Sequence, residues 1–292
     1  MLWQLTVNGA IAGAAFALMA VGFALVYNVA KFFHFAHGVI FTIGAYSTFF
    51  IVQWLGLPLL SSIPIAIAFS ALIGCSLDLF VFAPLRRKGN SPLILLLASL
   101  GIYIILQNLI STFFGDDIKT IRSGVVDEGI SFLGARITSI QICIIFTSLV
   151  VLLSVIVLLR ATKTGRAMRA VSNDPELAMV CGIDSDRVVL WTFAIGSALA
   201  GIAGILVALD VDMTPTMGMN ALMMGVVAVI IGGVGSIPGV ALGALLLGMA
   251  QHLGVWKISS QWQDAIAFVI LLIFLLFRPQ GFLGKKVKKV TL

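Results

Sequence analysis

Charge is what this chain has least of. Only 10% of its 292 residues are Asp, Glu, Lys or Arg, against 60% hydrophobic, where a soluble domain carries about a quarter charged residues. So little charge cannot cover a water-facing surface, and the chain reads as an integral membrane protein. Its three cysteines, Cys75, Cys143 and Cys181, suit neither a disulfide framework nor a thiolate metal site and read as small apolar residues. Three histidines make no cluster; His34 and His37 at i, i+3 are the one pair at which a metal or a proton relay can be weighed against plain packing. No Walker A pattern occurs, since GFLGKK near the tail has the wrong spacing, and GGVGSIPG has mis-spaced glycines for a dinucleotide fingerprint. No nucleophile–base pair or carboxylate dyad stands out, so catalysis in this chain is not expected. The net charge of +6 sits at the ends of apolar runs rather than in a basic patch interleaved with aromatics, which excludes a nucleic-acid partner. The start lacks the charged residues and small-residue cleavage site of a signal peptide, so the first apolar run is expected to stay.

What is present is apolar length. At ~20 residues per span, the chain has room for about eight crossings. The runs fall at about Leu5–Tyr27, Phe35–Trp54, Leu59–Phe82, Leu93–Phe114, Ser139–Leu159, Val189–Leu209 and Ala265–Phe277. Small residues repeat every four positions in the first (Gly9, Gly13, Ala17) and the sixth (Gly196, Ala200, Gly204), the spacing that lets helix backbones approach closely in lipid. Asp78 lies near the end of the third run, where an ion pair with Arg86 or Arg87 is expected. Between the fourth and fifth runs the polar stretch 115–138 holds IRSGVVDEGISF, whose alternation suggests a small hairpin.

Lys31, Arg86-Arg87-Lys88, the five basic residues from Arg160 to Arg187 and the tail from Arg278 through Lys289 fall at alternate loops. These are expected to be cytoplasmic, with the N-terminus and the loops at 55–58, 115–138 and 210–220 outside. A single crossing between 221 and 250 would then strand the basic tail outside. Gly232 to Gly239, with Pro238, resolve this by breaking the helix into a re-entrant or two-piece segment that returns to the outside near 251–260, and Gly232, Gly233, Gly235, Gly239 and Gly243 are expected to serve the break or its packing. Such broken backbone is tolerated only where protein or a cavity covers it. The expected fold is all-α and polytopic, about eight transmembrane helices plus this Gly-rich segment, in one domain over residues 1–292.

The charged stretch 160–188 is the part a water-soluble partner can reach. Asp174 is a good N-cap, Pro175 occupies the first helical position, Glu176 sits at the positive helix start and Gly182 supplies a left-handed stop. The resulting helix is too short to persist alone, and Leu177, Val180 and Cys181 need a surface to dock on. Before it, Arg166 and Arg169 share one face of a helical turn, with Met168 and Val171 on the next. Polar residues in the apolar runs, Asn8, Ser47, Gln107 and Asn108, are pathway candidates, because such groups face protein or water rather than lipid.

FAHGVIFTIGAY (Phe35–Tyr46), GRAMRAVSNDPELAMVCGI (Gly165–Ile183) and GGVGSIPGVALGALLLG (Gly232–Gly248) together resemble the permease subunits of bacterial ABC importers for branched-chain amino acids. The resemblance runs through nearly the whole chain. It implies a permease in the inner membrane, paired with a similar but distinct second permease, two ATPase subunits and a periplasmic binding protein. ATP and Mg²⁺ then belong to the partners, and this chain needs no cofactor or metal. It further implies that Glu176, Ala178 and Gly182 form the coupling segment (E-x-A-x3-G), led by Arg166, Arg169 and Asn173 with Asp174 and Leu177 between. Many relatives carry Asn before the Phe-Ala-His-Gly motif and an acidic residue after it; this chain has His34 and Val39. A urea or short-chain amide permease shares the motifs and stays open as the substrate alternative. A stand-alone secondary transporter or channel is the alternative class, and would require coupling carboxylates in mid-span.

Overall fold

In the computed structural model, which describes residues 1–122, 129–132 and 134–284, the first helix is the axis of the protein. α1 (Leu2–Ala30) is touched by α6 (Ser139–Ala161), α9 (Ser185–Asp210), α10 (Met217–Gly232) and α11 (Ile237–Gly254). Its small residues are why. A Cβ placed on Gly13 would lie 2.8 Å from the Leu245 Cα of α11, so the two backbones already touch. Lipid offers no hydrophobic drive between helices, and close van der Waals contact of this kind is what holds them.

Around this axis stand α2 (Ala36–Gln53), α3 (Leu59–Leu77), α5 (Pro92–Phe114) and α12 (Gln263–Phe277). α3 passes through a π-helical turn at Asp78–Phe82 into the single turn α4 (Ala83–Arg87). Asp78 and Arg86 meet there at 2.7 Å, as the charges in sequence suggest, while Arg87 turns to Asp186 at the start of α9, 2.9 Å away. α2 packs against α9, α3, α10 and α5. The segment before it is pinned by Ser99 of α5, whose hydroxyl accepts from the Phe35 amide at 3.1 Å and lies 3.2 Å from the Phe33 carbonyl.

Two sets of ties define the two faces of the bundle. On the N-terminal face, Gln4 exchanges hydrogen bonds with the backbone of Arg136 (3.0 and 2.7 Å), and Lys119 pairs with Met213 (3.0 and 2.9 Å). On the opposite, basic face, Arg86 and Arg87 reach Asp186, and a cavity brings together Asn28, Arg160, Arg169 and Ser236. The Gly-rich segment resolves the parity of the crossings. α10 ends at Gly232, the chain turns through Gly233 and Gly235 (both φ 98°), and α11 runs back along α10 and antiparallel to α1. The break is therefore a tight turn at 233–236. Gly239, expected at the end of the break, lies inside α11, and both it and Gly243 pack there against α10. Among the described residues eight helices are long and apolar enough to span a membrane, and α10, at 16 residues, is a shorter apolar helix beside them. After α12 the chain returns to Gly232, where the Phe282 and Leu283 amides donate to the Ile231 and Gly232 carbonyls at 2.9 and 3.1 Å. The basic tail from Lys285 to Lys289 lies outside the described residues.

One expectation shifts. The small hairpin pairs Ile130–Phe132 (β1) with Ala135–Ile137 (β2), later in the chain than the 121–132 alternation suggests; residues 123–128 and 133 lie outside the described residues. Thr138 follows at once as the N-cap of α6, in a capping box with Gln141, so the second strand is bounded by the helix start.

Candidate functional site

The charged stretch folds as two helices on the basic face. Thr162 ends α6 and caps α7 (Lys163–Asn173), its hydroxyl accepting from the Gly165 amide at 3.0 Å. Gly165 is pressed against the backbone of Leu158 and Leu159, so a side chain there would push α7 away from the membrane helix. α7 is amphipathic: Met168 and Val171 are buried, while Arg166, Arg169 and Asn173 are exposed. Among the described residues neither arginine has an ion-pair partner within the chain.

α8 (Pro175–Val180) follows directly. Asp174 Oδ1 accepts from the Glu176 and Leu177 amides, both at 3.0 Å, and Pro175 occupies the first turn. At the other end Gly182 adopts φ 81°, its amide donating to the Met179 carbonyl (2.9 Å) and the Ile183 amide to the Ala178 carbonyl (3.0 Å). Only Ala178 is buried. Leu177 (60% exposed), Met179 and Val180 (84% exposed) stand out from the surface. Six residues cannot hold a helix in water by propensity; here two caps and one buried alanine hold it, and its apolar side is left uncovered. Met179 was not singled out in sequence, although it lies between Leu177 and Val180. Asp186, also missed, ties the start of α9 to Arg86 and Arg87; an acidic residue in a first helical turn was its one local signal.

The pathway candidates are spread over three helices. Asn8, Ser47 and the pair Gln107 and Asn108 stand on α1, α2 and α5. The hydrogen bonds of three of them stay within their own helix: Asn8 accepts from Gln4 (2.9 Å), Ser47 donates to the Ile43 and Gly44 carbonyls, and Asn108 donates to the Ile104 carbonyl (2.7 Å). His34 and His37 are fully buried, with ring centroids 5.9 Å apart and Phe82 and Phe193 against His34. Their ring nitrogens have no hydrogen-bond partner. Val39 is likewise buried to 0% exposure, in the packing of α2.

Comparison with known proteins bears on this arrangement. Residues 5–275 match the family described as the branched-chain amino acid transport system / permease component. The high-affinity branched-chain amino acid transport system permease protein BraD of Pseudomonas aeruginosa is 34% identical over 98% of this chain and 97% of its own length. The permease protein LivH of Escherichia coli is 33% identical, covering 97% and 96%. A probable branched-chain amino acid transport permease protein of Methanocaldococcus jannaschii is 26% identical, covering 94% and 90%. No solved structure matches.

Proposed function

The chain belongs to the branched-chain amino acid transport permease family, and from that premise we propose that it is the membrane-spanning subunit of an ATP-driven importer for branched-chain amino acids in a bacterial inner membrane. A second, related permease, two ATP-binding subunits holding ATP and Mg²⁺, and a periplasmic binding protein complete it. The whole chain, 1–292, serves as one permease domain, with the N-terminal face outward and the basic face toward the cytoplasm. Substrate passes between the two permeases, along helix faces that include Asn8, Ser47, Gln107 and Asn108.

One observation carries the reading: α8, capped at both ends and apolar on its outer side, with Leu177 and Val180 uncovered next to Arg166 and Arg169, which have no ion-pair partner among the described residues. An apolar helix face in water is stable only when a partner covers it. A groove on an ATPase subunit supplies that cover, Glu176 and the two arginines orient the helix, and Gly165 keeps α7 against α6 so that a push on α8 reaches the membrane helices. The alternative class, a self-sufficient secondary transporter, lacks support. Asp78, a buried carboxylate in the spans, is held by Arg86 at the basic end, where an ion pair anchors rather than couples.

The test is the reconstituted complex in proteoliposomes, followed by leucine uptake and substrate-stimulated ATP hydrolysis. Gly182→Val places a β-branched residue at φ 81°, costing about 1–2 kcal/mol at the helix end, and Glu176→Lys reverses the charge at the helix start. Both variants are expected to assemble yet lose the link between hydrolysis and uptake. Full stimulation with full uptake in both would remove α8 from the coupling role.

A further inference from the structure

A cavity of about 470 Å³ opens on the N-terminal face, where α1 and α2 meet the starts of α10 and α12 and the end of α11. That size lies within the range of small-molecule sites, about 300–1,000 Å³. Its lining divides by burial. Met19 (1% exposed), Phe41 and Met224 form a closed apolar depth, whereas Thr216, Asn220 and Asp264 are exposed at its mouth. Amides, hydroxyls and a carboxylate exposed at the ends of membrane helices are costly against lipid, so they face water or a ligand. Gln251 fixes the wall from behind, its amide donating to the Gln263 carbonyl at 3.2 Å and so joining α11 to the start of α12.

We propose that this cavity is a receiving site for the zwitterion of an aliphatic amino acid; the identity of that ligand rests on the function proposed above. The chemistry of the lining sets the ligand's orientation. Asp264 is the one carboxylate in the lining, which holds no Lys or Arg and has His252, its Nδ1 3.1 Å from the Gly248 carbonyl, as its other titratable group; the carboxylate attracts the ammonium group. The ligand's carboxylate is met by neutral donors, the Thr216 hydroxyl and the Asn220 amide, at the start of α10, where the helix dipole also favours an anion. The aliphatic side chain enters the depth between Met19 and Met224. Methionine side chains adapt to differently branched partners, which suits leucine, isoleucine and valine alike. Urea or a short amide has neither the ammonium for Asp264 nor the side chain for the depth. The site lies inside one subunit, not between two, and draws on none of the four pathway residues chosen from sequence.

The decisive measurement uses the full-length protein in nanodiscs and needs no transport. Ala15→Cys, a lining position given no ligand contact, in a chain with Cys75, Cys143 and Cys181 replaced by serine, is labelled with a maleimide, and leucine is expected to protect it while urea does not. Equal labelling with and without leucine overturns the site. In the reconstituted importer, Asp264→Asn, an isosteric change at an exposed position, is expected to raise the KM for leucine about tenfold or more, from loss of one charge-assisted contact. Ala221→Phe, which narrows the cavity, is expected to depress leucine and isoleucine uptake more than alanine uptake. If Asp264→Asn keeps its KM and the Ala221→Phe complex assembles with its size preference intact, the cavity does not hold substrate, although the importer reading stands. An unaltered complex that carries no branched-chain amino acid removes both.

Discussion

α1 and α5 have nearly the same mean hydropathy, 2.2 and 2.3 over their most apolar stretches, yet 78% of that stretch is buried in α1 and 22% in α5. Hydropathy therefore states that each helix crosses a membrane and is silent on which one stands in the middle. Side-chain size makes the difference. α1 is built from Gly and Ala between its apolar residues, so four helices approach it closely. α5 presents Leu93, Leu97, Ile104 and Ile105 outward and buries a single stripe of Leu95, Ser99, Tyr103 and Ile110. In water both would be core helices; in a bilayer, large aliphatic side chains are the surface and small ones the core.

The comparison breaks most cleanly at two glycines. Gly13→Leu in α1 forces apart backbones already in contact with α11, an overpacking expected to cost above ~3 kcal/mol and to abolish folded, monodisperse protein in detergent. Gly101 in α5 has nothing within 4 Å of an added Cβ. Gly101→Ala is expected to stabilise by about 0.5–1 kcal/mol through helix propensity alone. Similar melting temperatures for the two variants would mean that α1 is not the packing axis.

A smaller effect is expected in α3, where only 28% of the most apolar stretch of Leu59–Arg87 is buried. Its end is fastened by the Asp78–Arg86 pair, with Asp78 1% exposed. Asp78→Ala leaves the arginine beside a desolvated gap, although Asp186 at 3.8 Å offers it partial compensation. The expected loss is about 2 kcal/mol, below that of a fully buried pair. Replacing both residues, Asp78→Ala with Arg86→Leu, is expected to recover most of it, since no charge is then left unpaired. A double variant no better than the single would make the pair more than a local anchor.

Seven of the crossings were legible because each is an apolar run, and their ends fell within about five residues of the observed ones, whereas α10 and α11 were not delimited. α8 was legible for a different reason: its caps are local, and Asp174, Pro175, Glu176 and Gly182 each act on the backbone beside them. What escaped is what depends on distant neighbours. Gly232, Gly233, Gly235, Gly239 and Gly243 look alike in sequence, but only Gly233 and Gly235 turn the chain, while the others let α10 and α11 touch. The partner of Arg87 is Asp186, 99 residues away. The cavity on the N-terminal face takes Thr216 and Asn220 from the start of α10 and Asp264 from the start of α12, and each alone reads as an ordinary residue at the edge of a span. The hairpin's first strand lies within the alternating stretch, and its second, Ala135–Ile137, lies past it, because alternation marks strand character without marking where the turn falls.

The smallest effect on stability is expected on the outward stripe of α5, at the polar residue that most sharpens the contrast with α1. Asn108 is exposed among aliphatic side chains, and its amide already donates to the Ile104 carbonyl at 2.7 Å. One of its polar groups is thus satisfied within the helix, and Asn108→Leu is expected to change the melting temperature by the equivalent of no more than about 0.5 kcal/mol. Uptake is the discriminating readout. If α5 lines a path between two permeases, the remaining carbonyl and amide hydrogen of Asn108 face water or substrate, and Asn108→Leu lowers uptake while insertion and assembly stay intact. Gln107→Leu, on the neighbouring half-buried side, is expected to act in the same direction. Unchanged uptake in both single variants and in the double would assign the stripe to lipid, with Asn108 tolerated there because its own helix neutralises it. The route of the substrate would then run along α1 and α10 beside the cavity on the N-terminal face rather than along α5.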